Sequence, residues 1–153
     1  MISKLIKLPI LKRLIPSLYK KYIFLFSKWD KTIIVNKIKY NLDLRHLIDR
    51  RFFFHKTYEN ELFQPLLNII DTKRIEYFFD IGSCWGLYSL RISNKFENLK
   101  IFSYDPIKKN IQRLNHSIKI NNINNVKTFC IAIGNKQTVV ELGATETYSP
   151  NFE

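Results

Sequence analysis

Glycine is scarce in this chain, with four in 153 residues. Two of them, Gly82 and Gly86, fall in one turn, so the close backbone approach that only glycine allows is concentrated there. That turn lacks the middle glycine of G-x-G-x-x-G, because position 84 is Cys, and it holds no lysine or arginine. A pyrophosphate cradle is therefore disfavoured, and with it a nicotinamide-dependent oxidoreductase. The two cysteines, Cys84 and Cys130, have neither zinc nor redox-pair spacing. They read as reduced thiols of a cytoplasmic protein, Cys84 toward a ligand pocket and Cys130 in the core. His46, His55 and His116 share no ligand spacing, so no metal is expected. No Ser-His-Asp or Cys-His set assembles, and there is no internal repeat. No apolar run approaches the length of a membrane span. Lys12 and Arg13 interrupt any signal-peptide core.

Acid is absent before Asp30, where Lys4, Lys7, Lys12, Arg13, Lys20, Lys21 and Lys28 all carry positive charge. The whole chain is at +12. Such an excess suits an anionic lipid, a nucleic acid or an acidic substrate, or it is a solvated surface. Residues 1–28 set Ile2, Leu5, Ile6, Leu11, Leu14, Ile15 and Leu18 against the lysines, with breaks at Pro9 and Pro16. This amphipathic segment either packs on the domain or lies on a membrane surface. An apolar content of 46% with 14% aromatics specifies a folded globule of one domain.

Residues 29–75 read as a lead-in. Ile33–Val35, the turn Asn36-Lys37, and then Ile38, Tyr40, Leu42 and Leu44 alternating with polar residues form a hairpin. Tyr58–Asp71 is expected as a helix with Leu62, Leu66, Ile69 and Ile70 on its buried face and Pro65 near its first turn. Residues 76–153 carry the chemistry. Tyr77–Ile81 suits a buried strand, Leu87 and Leu90 one face of a helix starting near Gly86, and Ile101–Tyr104 a second strand. After Pro106, a helix with Ile107, Ile111, Leu114 and Ile118 inward leads to a third strand at Val126–Ile131. A fourth, short strand is expected at Thr138–Leu142. Strand, glycine turn, helix, strand is a right-handed βαβ unit, and ligands of such sheets sit at the carboxyl ends of the strands. Asp80 and Asp105 stand at those ends, 25 residues apart. A loop with a carboxylate and no cation suits a ligand bearing hydroxyls and positive charge, and Asp105 is placed to accept from a ribose diol. S-adenosylmethionine (SAM) has hydroxyls, an ammonium and a sulfonium, and no phosphate.

These residues resemble the FkbM family of SAM-dependent methyltransferases. Thr57-Tyr58-Glu59 is similar to that family's upstream Gly-x-Tyr-Glu segment, and Asp80-Ile-Gly82-Ser-Cys-Trp-Gly86-Leu-Tyr-Ser to its Asp-x-Gly-Ala-Asn-x-Gly-x-x-Ser loop. Tyr104-Asp105-Pro106, then Leu114, Ile118, Asn121 and Ala132-Ile-Gly134, resemble the next strand signatures, so the likeness runs over about residues 32–142. It implies a Rossmann-like class I methyltransferase fold, here truncated after the first three core strands, with an N-terminal helical and hairpin extension. It implies a SAM site built from Glu59, Asp80, Gly82, Ser83, Cys84, Gly86, Asp105 and Ala132, and O-methyl transfer to a small-molecule or glycan hydroxyl. Nucleic acid is not an expected partner on this reading, and peripheral membrane contact through residues 1–28 is. The alternative is a non-catalytic basic module docking on anionic membrane or nucleic acid through that segment. Three positions depart from the family: Cys84 for Asn, Asp105 for Glu, and Ser117 for Asn. The family's later strand, with Asp-x-x-Lys-x-Asp-x-Glu-Gly, has no counterpart, so the chain reads as an N-terminal portion that leaves the Asp80 strand as an edge.

Overall fold

The computed structural model describes residues 14, 17–19, 21–22, 29–136 and 138–139. The hairpin is β1 (Asp30–Val35) and β2 (Ile38–Asp43), antiparallel with Val35 opposite Ile38. Asn36 and Lys37 both have positive φ, 50° and 68°, which is the backbone a two-residue turn needs to match strand twist. Helix α1 (Leu47–His55) follows, in a stretch where the sequence pattern had marked only an aromatic patch. Then come α2 (Asn60–Thr72), β3 (Tyr77–Ile81), α3 (Leu87–Lys95), β4 (Lys100–Tyr104), α4 (Lys108–Ile120) and β5 (Val126–Phe129). The strands β3, β4 and β5 form a parallel sheet in that order.

Both crossovers step the same way across the sheet, and right-handed connections then put their helices on one face. Ser89 on α3 bonds Ser103 on β4, and Thr128 on β5 donates to Asn115 on α4, so both helices lie on that face. The hairpin closes the other side of the helix layer. Its core joins Ile33, Ile38, Tyr40, Leu42 and Phe52 to Trp85, Leu87, Leu90 and Leu114. A second cluster joins Phe63, Leu67 and Ile70 of α2 to Ile92, Leu99 and Ile101.

The edge of β2 is fastened to α4 by side chains that imitate a strand. Asn121 Oδ1 accepts from Lys39 N (2.8 Å) while its Nδ2 donates to Lys39 O (2.7 Å). Asn41 N donates to Ser117 Oγ (3.1 Å), which gives the small residue at that departure from the family pattern a task. Arg113 reaches across to Asn41 O (3.1 Å) and pairs with Asp49, both side chains buried. Burial pushes the Asp49 carboxyl up, against the charge of Arg113. At the end of β2, buried Asp43 accepts from Arg45 Nη2 (2.6 Å) and Lys109 Nζ (2.7 Å). Burial alone would raise its pKa, but these bonds hold the carboxyl well below the usual range.

Several expectations need correction. The buried face of α2 is Phe63, Leu67 and Ile70, while Leu62 and Ile69 are 65% and 54% exposed. Both sets fit a helical repeat, and only the position of α3 decides between them. Pro65 lies inside α2, beyond its first turn. Ile107 is the N-cap of α4 and exposed, so the inward stripe starts at Ile111. The third strand stops at Phe129, and Cys130 is exposed, not core. The fourth strand expected at Thr138–Leu142 lies mostly outside the described residues, and Thr138 and Val139 are not strand. The segment 1–28 is also mostly outside them, although Tyr19 stacks on Phe53 (5.4 Å between ring centroids) and so packs on the domain. No described helix is long and apolar enough to cross a membrane.

Strand β3 pairs only with β4 among the described residues, and it is less buried than its composition suggests. Tyr77, Phe79 and Ile81 on its far face are 47%, 57% and 64% exposed. They continue into Phe102, Tyr104 and Phe129, whose rings stand nearly parallel, Tyr104 and Phe129 at 4.8 Å.

Candidate functional site

Parallel pairing sets Ile81 beside Tyr104, so the loop after β3 and Asp105 after β4 emerge together. Gly82 N and Ser83 N both donate to Tyr104 O, each at 2.9 Å, which folds the loop over the end of β4. Cys84 N donates to Asp105 Oδ2 (2.9 Å). Oδ1 of the same carboxylate accepts from Ile107 N (2.8 Å) and Asn110 Nδ2 (3.1 Å). One buried aspartate thus ties the loop to the start of α4. An aspartate is short enough to sit under Cys84 N, which is how the structure uses the carboxylate where the family has Glu.

The two glycines of the loop do different work. Both have positive φ, +79° at Gly82 and +87° at Gly86. A Cβ on Gly86 would overlap Leu114 Cδ1 and lie 3.1 Å from its Cγ, so this glycine lets α3 approach α4. A Cβ on Gly82 would meet nothing within 4 Å. The backbone there is open on the side where a ligand can come close. Between them, Cys84 is left-handed (φ 50°), a strain that Asn tolerates better. Burial first, then the charge of Asp49, push its thiol up to about 11, so it is a packing group and not a nucleophile. Trp85 anchors the loop from below, edge-on to Tyr40 (5.7 Å) and tilted on Phe52 (5.2 Å).

Asp80 faces the helix layer. Its Oδ2 accepts from Ser89 Oγ (2.5 Å) and Ser89 N (3.2 Å), and Ser89 Oγ lies 2.6 Å from Ser103 Oγ. Burial raises the Asp80 pKa, the Ser89 bonds oppose this, and the charge of Asp105 adds to it. Two carboxylates sense each other across an end of the sheet without a cation in the turn. The donor set therefore fits a group that is cationic and rich in hydroxyls, which is the chemistry of SAM.

Glu59 arrives from the N-cap of α2, where its carboxylate accepts from Tyr88 Oη (2.7 Å) on α3. Ala132 lies beyond β5 and lines a shallow, open cavity of about 280 Å³ with Ile133, Gly134, Asn135 and Lys136. No residue of the glycine loop lines it. The structure therefore brings together Asp80, Gly82, Ser83, Cys84, Gly86 and Asp105, joins Glu59 through Tyr88, and leaves Ala132 to a neighbouring surface. Sequence reasoning missed Trp85, Tyr88, Ser89 and Ser103. Only the i, i+3 spacing of Tyr88 and Arg91 was a signal.

No family model matches the chain, and no curated protein matches it by sequence. Solved structures do. Pyrococcus horikoshii TYW2 in complex with MeSAdo aligns with a TM-score of 0.54 at 15% identity, over 82% of this chain and 50% of that one. Pyrococcus abyssi Trm5b aligns with a TM-score of 0.44 at 20% identity, over 66% and 28%. The P. abyssi tRNA (uracil-54, C5)-methyltransferase with S-adenosyl-L-homocysteine gives 0.47 at 12% identity, over 68% and 24%. The chain spans half or less of the length of each. The expectation that nucleic acid is no partner is withdrawn, because a tRNA-modifying enzyme is among the structures it resembles. The fold is α/β with a parallel sheet, Rossmann-like, of the kind found in SAM-dependent methyltransferases.

Proposed function

We propose that this chain forms the cofactor-binding part of a SAM-dependent methyltransferase. The observation that carries the reading is the open space at Gly82, beside a buried Asp105 and a loop without cations. Gly82 would admit the methionine part to the backbone, Asp80 would set the charge around it, and Asp105 would accept from the ribose hydroxyls. SAM supplies an electrophilic methyl group on its sulfonium, and the chain's share is to bind and orient it. The finer readings, membership of the FkbM family and transfer to a small-molecule or glycan hydroxyl, rest on the motif resemblance.

Calorimetric titration of SAM into the chain tests the proposal, with Asp80→Asn and Asp105→Ala as controls. Micromolar binding by the wild type, lost in both variants while the fold survives, supports it. No binding by a folded wild type overturns it.

A further inference from the structure

Glu59 breaks a local rule. A helix start favours Ser, Thr, Asp or Asn in extended backbone with the side chain capping the first turn. Glu59 is left-handed (φ 51°, ψ 34°), and its carboxylate makes no cap bond. Such a conformation persists in a non-glycine residue only where the surroundings impose it, and it marks candidate functional positions. Here α3 imposes it. Tyr88 Oη donates to Glu59 Oε2 (2.7 Å). Arg91, one turn on, donates to Tyr58 O (3.4 Å) and Asn60 Oδ1 (2.9 Å), the residues on either side of Glu59. Its guanidinium lies 3.5 Å from the centroid of Phe63 on α2, which fixes the fork.

The corner so held adjoins the glycine loop. Tyr58 and Cys84 pack against the same core cluster, and Tyr88 is two residues past Gly86. Burial, then Glu59, push the Tyr88 phenol up to about 12, and Asp80 adds a smaller push from the far side. Glu59 itself remains exposed. A clamp that served only to join α2 to α3 would not need a strained acid at its centre.

We propose that Tyr88 and Arg91 are positioning residues that hold the Glu59 carboxylate toward the Gly82–Gly86 loop, where it recognises the ammonium of the cofactor's amino-acid part. This assignment rests on the SAM reading above. Carboxylate and ammonium form a charge-assisted hydrogen bond, and its strength depends on the carboxylate being set in place before the ligand arrives.

The experiment titrates SAM and methylthioadenosine, which lacks the amino-acid part, into the wild type, Tyr88→Phe, Glu59→Gln, Glu59→Gly and the Tyr88→Phe/Glu59→Gln double variant. Urea midpoints are recorded alongside. Tyr88→Phe keeps the ring against Phe63 (5.8 Å) and removes only the hydroxyl. The expected result is SAM binding about tenfold weaker in each Tyr88→Phe and Glu59→Gln single variant, with no further loss in the double, since Tyr88 acts through Glu59. Methylthioadenosine should bind all of them alike. Glu59→Gly should raise the urea midpoint while weakening SAM, because it relieves the strain and removes the carboxylate. Equal loss from Tyr88→Phe with or without Glu59, or loss for methylthioadenosine as well, overturns the assignment. So does wild-type SAM binding that Tyr88→Phe leaves unchanged, and this leaves the cofactor reading standing. Failure of the folded wild type to bind SAM overturns both.

Discussion

Alanine at Gly86 and alanine at Gly82 should differ sharply in cost, although both residues have positive φ and sit four apart in one loop. The left-handed backbone charges each variant about 1–2 kcal/mol. At Gly82 nothing lies within 4 Å of the new methyl, so that is the whole cost. At Gly86 the methyl overlaps Leu114, which is fully buried between α3 and the hairpin. Overpacking a filled core adds about 1–3 kcal/mol. The difference between the two variants isolates the overlap, because the backbone term is common to both. With a urea slope of about 1–3 kcal/mol per M, Gly86→Ala should unfold about 1 M earlier than Gly82→Ala, followed by circular dichroism. SAM affinity should rank the other way among folded proteins, Gly82→Ala losing binding at nearly wild-type stability. Coincident urea midpoints would refute the division of labour between the two glycines.

Other outcomes follow from the same contacts. Arg113→Ala should cost about 3–5 kcal/mol, since it strands a buried carboxylate on Asp49 and removes the bond to Asn41 O; chemical denaturation measures it. Asn121→Ala should lower stability by about 1–3 kcal/mol, and hydrogen exchange at Lys39 N should accelerate as β2 loses its imitation strand. The carboxyl of Asp43 is held low, so its contribution is present above the ordinary carboxylate pKa and is lost as pH falls through its lower folded value. Asp43→Asn should therefore flatten acid unfolding below about pH 4. The raised carboxyl of Asp80 acts oppositely: its contribution is full below the ordinary pKa and is lost as pH rises through the folded value. The stability of Asp80→Asn relative to wild type should increase with pH across that window, and midpoints at several pH values check it.

The hairpin, both βαβ crossovers and the pairing of Asp80 with Asp105 were legible in the chain, because each depends on neighbours close in sequence. Asn36-Lys37 between alternating segments specifies a two-residue turn, and an apolar run ending in Asp80-Ile-Gly82 specifies a strand entering a tight loop. The stripe Ile111, Leu114, Ile118 has one helical face, so its inward side needed no partner to identify it. Tertiary structure decided what periodicity leaves degenerate. In α2, Leu62/Leu66/Ile69 and Phe63/Leu67/Ile70 both satisfy a helical repeat, and contact with Ile92 and Leu99 selects the second. A glycine's purpose is likewise invisible in sequence: Gly86 is needed because Leu114, 28 positions away, fills the space beside it, and Gly82 because nothing does. The strain at Glu59 belongs to this second kind, since its left-handed backbone exists only because Tyr88 and Arg91 on another helix reach it. Local propensity writes the elements into the chain, whereas the work of a side chain is set by groups that sequence distance hides and packing brings within a few ångströms.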